Sequence, residues 1–172
     1  MAVRSDVTKF KGGVVHLLGN PAKVGDKALD FRVRKGLAPD SEVTLHTFAG
    51  KNLLISFSPS LDTSVCATQI RKFNEKAASL PNTTILTITM DLPPAQSRFC
   101  TTEGISNLTV ASDYVHKSFG LNYGVLIEEL QVTARGVFVI DKNGVIQYSE
   151  ITKEVTEEPN YDAAIEAAKK LG

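Results

Sequence analysis

Cys66 and Cys100 are the two thiols of the chain, and Cys66 closes the run Ser58-Pro59-Ser60-Leu61-Asp62-Thr63-Ser64-Val65-Cys66. A strand-like apolar segment stops at Pro59, and Asp62, Thr63 and Ser64 are each side chains that can cap a helix N-terminus. The spacing predicts Cys66 in the first turn of a helix. Unpartnered backbone N–H groups and the positive end of the helix dipole meet there, and both favour negative charge on a sulfur. Two readings stand on these residues alone: a small hydrophobe packed beside a strand, or a nucleophilic thiolate. Asp62 works against the second, because a nearby carboxylate disfavours an ionised thiol; it is assigned to capping or to the surface. Cys100 taken alone reads as core packing. Two cysteines in a chain of 172 residues do not make a disulfide scaffold, since such scaffolds are small and dense in cysteine. A bridge formed in a reducing compartment would point to a transient catalytic or sensing role.

Other reactive side chains offer less. His16, His46 and His116 lie far apart with no ligand spacing, so no metal site is expected. No histidine can be paired with either cysteine as in a thiol protease. There is no Cys-x-x-Cys of the dithiol oxidoreductase kind and no glycine-rich phosphate loop after a strand. Glu157-Glu158 and Lys169-Lys170 read as solvated helix ends that complement the dipole.

The elements that must position these residues follow from periodicity. Val14 to Leu18 and Ala22 to Val24, joined by Gly19-Asn20-Pro21, read as an N-terminal hairpin. Phe31 to Arg34 and Val43 to Leu45 read as short strands. Asn52 to Phe57 is a largely apolar run that suits a buried central strand. From Ser64 to Leu80 the apolar spacing turns helical, and Pro81-Asn82 closes the segment. Thr84 to Met90 is rich in β-branched residues and predicts a second strand. Pro93-Pro94 opens a short helix reaching Cys100. A strand at Leu108 to Ala111 and a helix at Tyr114 to Phe119 follow. Gly136 to Ile140 and Val145 to Tyr148 flank Asn143-Gly144, a hairpin turn, and Asp162 to Leu171 forms an alanine-rich last helix. This order predicts one α/β domain over residues 1–172, a mixed sheet flanked by helices.

Composition fits that reading: 42% of residues are hydrophobic, and nineteen basic residues balance nineteen acidic ones. No long-range field favours nucleic acid or an anionic membrane. The N-terminus has no apolar stretch of secretory or membrane-spanning length, so the cytoplasm is the expected location and the sequons at Asn82 and Asn107 carry no weight.

The strings themselves carry a resemblance. Pro59, Thr63 and Cys66 fit the PxxxTxxC motif of the peroxiredoxins. FSPSLDTSVC, DLPPAQSRFC and TARGVFVID together resemble the bacterial thiol peroxidase branch, the atypical two-cysteine type. The likeness runs from the N-terminal hairpin to the last helix without departure at the matched positions. It implies a thioredoxin-like fold with an N-terminal β-hairpin extension, and a hydroperoxide as substrate, with alkyl hydroperoxides preferred. It implies Cys66 as the peroxidatic thiolate, which becomes a sulfenic acid, and Cys100 as the resolving cysteine that then bridges to it. Thr63 would hydrogen-bond the thiolate and the peroxide, Pro59 would shield the sulfur from water, and Arg135 would stabilise the thiolate and orient the peroxide. It further implies thioredoxin as reductant, a homodimer, and no metal or organic cofactor.

Magnitudes indicate what these groups must do. Lowering a free thiol's pKa from ~8.5 to ~6 raises its thiolate fraction at neutral pH roughly thirtyfold, while its intrinsic nucleophilicity falls. Ionisation alone is too weak, so stabilising charge as it moves onto the peroxide oxygens must be the larger effect. Cys66 and Cys100 are placed on different predicted helices, and a disulfide needs Cα atoms within about 7 Å. Both helices are therefore expected to unwind in part when the bridge forms. Two other classes stay open: a redox-sensing module with a reversible Cys66–Cys100 disulfide, and an interaction domain with inert thiols.

Overall fold

In the computed structural model, residues 2–172 are described. Four two-residue strands open the chain: β1 (Val3–Arg4), β2 (Lys9–Phe10), β3 (Gly13–Val14) and β4 (Leu17–Leu18). β5 (Arg32–Arg34), β6 (Glu42–Thr44) and β7 (Asn52–Phe57) lead to helix α1 (Ser64–Lys76). β8 (Thr83–Thr89), α2 (Pro93–Glu103), β9 (Thr109–Ser112), α3 (Ser118–Asn122) and β10 (Leu126–Ile127) follow. The chain ends with β11 (Gly136–Ile140), β12 (Ile146–Ile151) and α4 (Tyr161–Lys169).

Seven strands form the main sheet in the order β12-β11-β7-β8-β9-β5-β6. β7, β8 and β9 run parallel, and the edge pairs β11–β12 and β5–β6 are antiparallel. This is the mixed sheet that the sequence predicts. Both faces of β7 are covered, which is why its six residues are all buried and mostly apolar. Leu53, Ile55 and Phe57 join Phe119, Tyr123 and Phe138 on one face, where the Phe57 and Phe138 rings stack at 5.4 Å. Leu54 points to the other face and packs with Phe73, Val137, Val139, Ala164 and Ile165. The alternation thus puts α1 and α4 on one side and the aromatic cluster on the other.

The N-terminal extension is present but differs from the predicted pairing. Gly13–Val14 pairs with Lys9–Phe10 through Lys11-Gly12, both with positive φ (50° and 81°), as a tight hairpin turn requires. Leu17–Leu18 instead lies between Val3–Arg4 and Leu126–Ile127. Ala22 to Val24 is not a strand. Gly19, at φ 105°, passes so close to Leu121 that a Cβ would sit 2.0 Å from its carbonyl oxygen. The chain then turns as Lys23 donates its N–H to Asp26.

α3 likewise begins at Ser118, not at Tyr114, because the buried Asp113 carboxylate accepts from the N–H groups of Phe119 and Gly120. α2 starts on Pro93, continues past Cys100 to Glu103, and is closed by Gly104 at φ 68° with the Ile105 N–H returned to the Cys100 carbonyl. Among the described residues no helix is long and apolar enough to cross a membrane.

Burial raises the Asp113 pKa from 3.8 to about 6, against the opposing pull of the Gly120, Phe119 and Ser118 N–H groups. The folded chain therefore holds this proton more tightly than the unfolded chain. The resulting stability is complete below the unfolded value and is lost as pH rises through about 6. The unfolding free energy of wild type minus that of Asp113→Asn is expected to fall between about pH 4 and 7, at no more than about 1.4 kcal/mol per pH unit. Denaturant titrations across that window check it, and a flat difference contradicts it.

Candidate active site

The β7–β11 register sets the geometry. Phe57 pairs with Gly136, so the residues just beyond β7 face those just before β11. Thr133 donates its hydroxyl to the Ser58 carbonyl at 3.0 Å, fixing that opening. Pro59 follows, half-buried, and ends the strand.

Cys66 is the third residue of α1, and the N-cap is Thr63. The Thr63 hydroxyl oxygen accepts from the Cys66 N–H at 3.2 Å and donates to the Ser60 carbonyl at 3.3 Å. Of the three capping candidates in the sequence, Thr63 alone takes the role, and its hydroxyl is engaged with backbone groups. The Cys66 side chain is fully buried, at 0% exposure. Arg135 Nη2 donates to Cys66 Sγ at 3.1 Å.

Arg135 is itself only 2% exposed. Its Nε donates to the Val155 carbonyl at 2.6 Å and its Nη1 to Gln69 Oε1 at 2.9 Å. Gln69 is in turn held by β7, with Nε2 donating to Ser56 Oγ at 2.8 Å and to the Phe57 carbonyl at 3.3 Å. Neutral acceptors take two edges of the fork, and the third edge is aimed at the sulfur. An unpaired buried cation is costly, so the arrangement suits an anionic sulfur. Outside it, Glu158 is held below the usual carboxylate range by the Tyr161 hydroxyl first, and then by Lys72 and Arg135.

The backbone that carries Arg135 and its acceptor is braced by the N-terminal extension. Lys9 exchanges hydrogen bonds with Lys153 and Val155, and Gly12 donates to the Glu154 carboxylate at 2.7 Å. β4 pairs with β10, and the loop after β10 returns through the Ala134 N–H to the Val125 carbonyl.

Cys100 sits half-buried on α2, packed with Phe99 against the cluster of Leu61, Ile70 and Ile105. Both cysteines are free thiols. Burial pushes the Cys100 thiol pKa up, which keeps it protonated at rest. Cys66, Thr63 and Arg135 thus come together, Pro59 lies half-buried just after β7, and Cys100 stands on the neighbouring helix. Gln69 was not anticipated. It lies three positions after Cys66 on the stripe that continues to Ile70 and Phe73, and a polar side chain on an apolar helix face is the signal that marks it. His16 meets Glu129 across 113 positions in a surface ion pair. With Glu128 these side chains offer donor atoms within 4.8 Å of one another.

A seven-stranded sheet that aims a buried guanidinium at a helix-start cysteine defines a thioredoxin-like fold used for thiol redox chemistry, and comparisons with known proteins agree. The Redoxin family model matches residues 23–165. A thiol peroxidase of Listeria innocua is 52% identical over 162 residues, covering 94% of this chain and 96% of that protein. One from Streptococcus pneumoniae is 46% identical, covering 94% and 98%. The crystal structure of a peroxiredoxin-like protein from Aquifex aeolicus superposes with a TM-score of 0.89 at 38% identity over 100% of both chains. A thiol peroxidase from Chromobacterium violaceum, at 21% identity, shares the fold with a TM-score of 0.82 over 95% of each chain. The chain belongs to the Redoxin family, on the thiol peroxidase branch of the peroxiredoxins.

Gln69→Leu removes the Nη1 acceptor and leaves a charged donor buried without a partner. Peroxide oxidation of Cys66 is expected to slow about tenfold, the consequence of one lost hydrogen bond to a charged group. Single-turnover oxidation followed by mass spectrometry measures it, with circular dichroism confirming the fold. An unchanged rate would show that Arg135 needs no such support.

Proposed function

We propose that residues 1–172 act as a single thioredoxin-like peroxiredoxin domain that reduces hydroperoxides through Cys66. The Cys66 sulfur attacks the terminal peroxide oxygen, the O–O bond breaks, and an alcohol (or water, from hydrogen peroxide) leaves after taking up a proton. Cys66 becomes a sulfenic acid. The Cys100 thiol then attacks that sulfur, water leaves, and a Cys66–Cys100 disulfide results. Two electrons from a dithiol reductant, thioredoxin in this proposal, restore both thiols.

The single observation that carries this reading is the 3.1 Å contact between Arg135 Nη2 and the buried Cys66 Sγ. The same guanidinium has further N–H groups for the peroxide oxygens as charge moves onto them. Thr63 and the first-turn N–H groups border the place where that charge develops, and Pro59 limits water there. A raised pKa at Cys100 fits a thiol that waits for a sulfenic acid and does not compete for peroxide. The chemistry needs no metal or organic cofactor. Alkyl hydroperoxides as preferred substrates, a homodimer and a cytoplasmic location complete the proposal, supported by the likeness to the thiol peroxidases.

Both cysteines lie within regular helix, and Cys66 is covered. Bridge formation is therefore proposed to unwind the first turn of α1 and the part of α2 around Cys100. Peroxide consumption coupled to thioredoxin and its reductase tests the whole cycle. Wild type should turn over continuously, Cys66→Ser not at all, and Cys100→Ser should consume one equivalent and then stall. Undiminished turnover by Cys66→Ser would overturn the assignment. Stoichiometric oxidation of wild type without turnover would instead mark a redox sensor.

A further inference from the structure

Asp91 opens the string that carries Cys100, and its half-buried carboxylate reaches back to the cysteine loop. Oδ1 accepts from the Ser60 hydroxyl at 2.7 Å. Oδ2 accepts from the Leu61 N–H at 2.8 Å and from the Thr89 hydroxyl at 2.7 Å. The Thr89 oxygen in turn accepts from the Asp91 N–H at 3.3 Å and from Gln96 Nε2 at 2.9 Å. Gln96 is a buried residue of α2 whose amide also donates to the Ala111 carbonyl. One carboxylate therefore ties the Ser60–Leu61 turn to β8 and, through Thr89, to the helix that holds Cys100.

The turn it ties is the one that builds the cap of Cys66. The Ser60 carbonyl accepts from both the N–H and the hydroxyl of Thr63, and the Thr63 hydroxyl receives the Cys66 N–H. The Leu61 side chain, fixed at its N–H by Asp91, packs into the cluster against which Phe99 and Cys100 lie. Ser60 and Leu61 are thus held by Asp91 on one side and lead on the other to Cys66 through the Thr63 cap and to Cys100 through the Leu61 cluster.

We propose that Asp91 is a positioning residue that holds the Cys66 turn closed during peroxide attack and sets how readily that turn opens toward Cys100. It touches neither sulfur and acts through Ser60, Leu61 and Thr63. The inference rests on the peroxidatic and resolving roles given above to Cys66 and Cys100. A closed turn keeps Sγ under Arg135, which favours the first step. Freeing the turn weakens the Thr63 cap and loosens the seat of Cys100, which favours the second. Asp91 variants should therefore move the two steps in opposite directions, whereas general damage to the fold slows both.

Asp91→Asn keeps the size but presents an N–H₂ where a carboxylate oxygen accepted. Single-turnover experiments with quenched mass spectrometry resolve the sulfenic acid and the disulfide separately. Sulfenic acid formation is expected to slow about tenfold, roughly one charge-assisted hydrogen bond, and disulfide formation to quicken severalfold. Excess hydroperoxide should then convert less Cys66 to sulfinic acid, since the bridge forms before a second peroxide arrives. Ser60→Ala removes one of the three donors on a half-buried residue and should shift both rates with the same signs and smaller size. Both rates unchanged, or both reduced in each variant, overturns the role of Asp91. A wild-type chain that forms no sulfenic acid would instead overturn the peroxidase reading itself.

Discussion

A buried guanidinium aimed at a buried sulfur is the constraint around which the rest of this structure is arranged. Arg135 and Cys66 are both withdrawn from water, and a cation in that setting is costly unless most of its N–H groups find acceptors. Val155 and Gln69 supply two neutral oxygens and Cys66 supplies the third partner. No carboxylate accepts a hydrogen bond from this fork; Glu158 feels it through charge alone, and the sulfur is its third hydrogen-bond partner. In the proposed reaction, the same interaction would stabilise charge as it leaves sulfur for oxygen.

Each neighbouring element can be understood as fixing one end of that contact. The β7–β11 pairing brings the start of α1 opposite residue 135, and Gln69 spans the two by holding β7 with its amide and Arg135 with its oxygen. The hairpin of β2 and β3 braces the segment that ends in Val155, while β1, β4 and β10 brace the return to Ala134. The N-terminal extension is thus part of the site's scaffold, although it contributes no group to the chemistry. On the other side, Asp91 and Leu61 link the cysteine turn to α2, so the elements carrying the two thiols share one set of contacts.

Much of this was legible in the sequence because local rules decide it. The apolar run of β7, the proline after it and the capping residues before Cys66 place the sulfur at a helix start with no tertiary information. Asn143-Gly144 marks its hairpin for the same reason, and Pro93 marks the start of α2. The matched motifs added Arg135 and Cys100, which periodicity alone leaves as a charge beside a strand and a packed thiol. What was not legible depends on partners distant in sequence. The pairing of Leu17–Leu18 with Leu126–Ile127 involves two-residue strands too short to show alternation. Lys11-Gly12 lacks the asparagine or aspartate usual in such turns, and α3 is displaced by a carboxylate five residues upstream. Gln69 is marked only as a polar residue on the apolar face of α1, and Asp91 is an ordinary polar residue until the fold shows what its side chain holds.

In the proposed reaction the Arg135 fork, beyond its positive charge, directs Cys66 toward peroxide. Arg135→Lys keeps a cation but cannot reach Sγ, the Val155 carbonyl and Gln69 together. The decisive measurement is the second-order rate of this variant, relative to wild type, with an alkyl hydroperoxide and with iodoacetamide. A loss of about 100-fold or more is expected with the peroxide, the scale of one preorganised donor, and a much smaller loss with the alkylating agent, which has no O–O bond to polarise. Equal losses with both reagents, or an unimpaired peroxide rate, would contradict it.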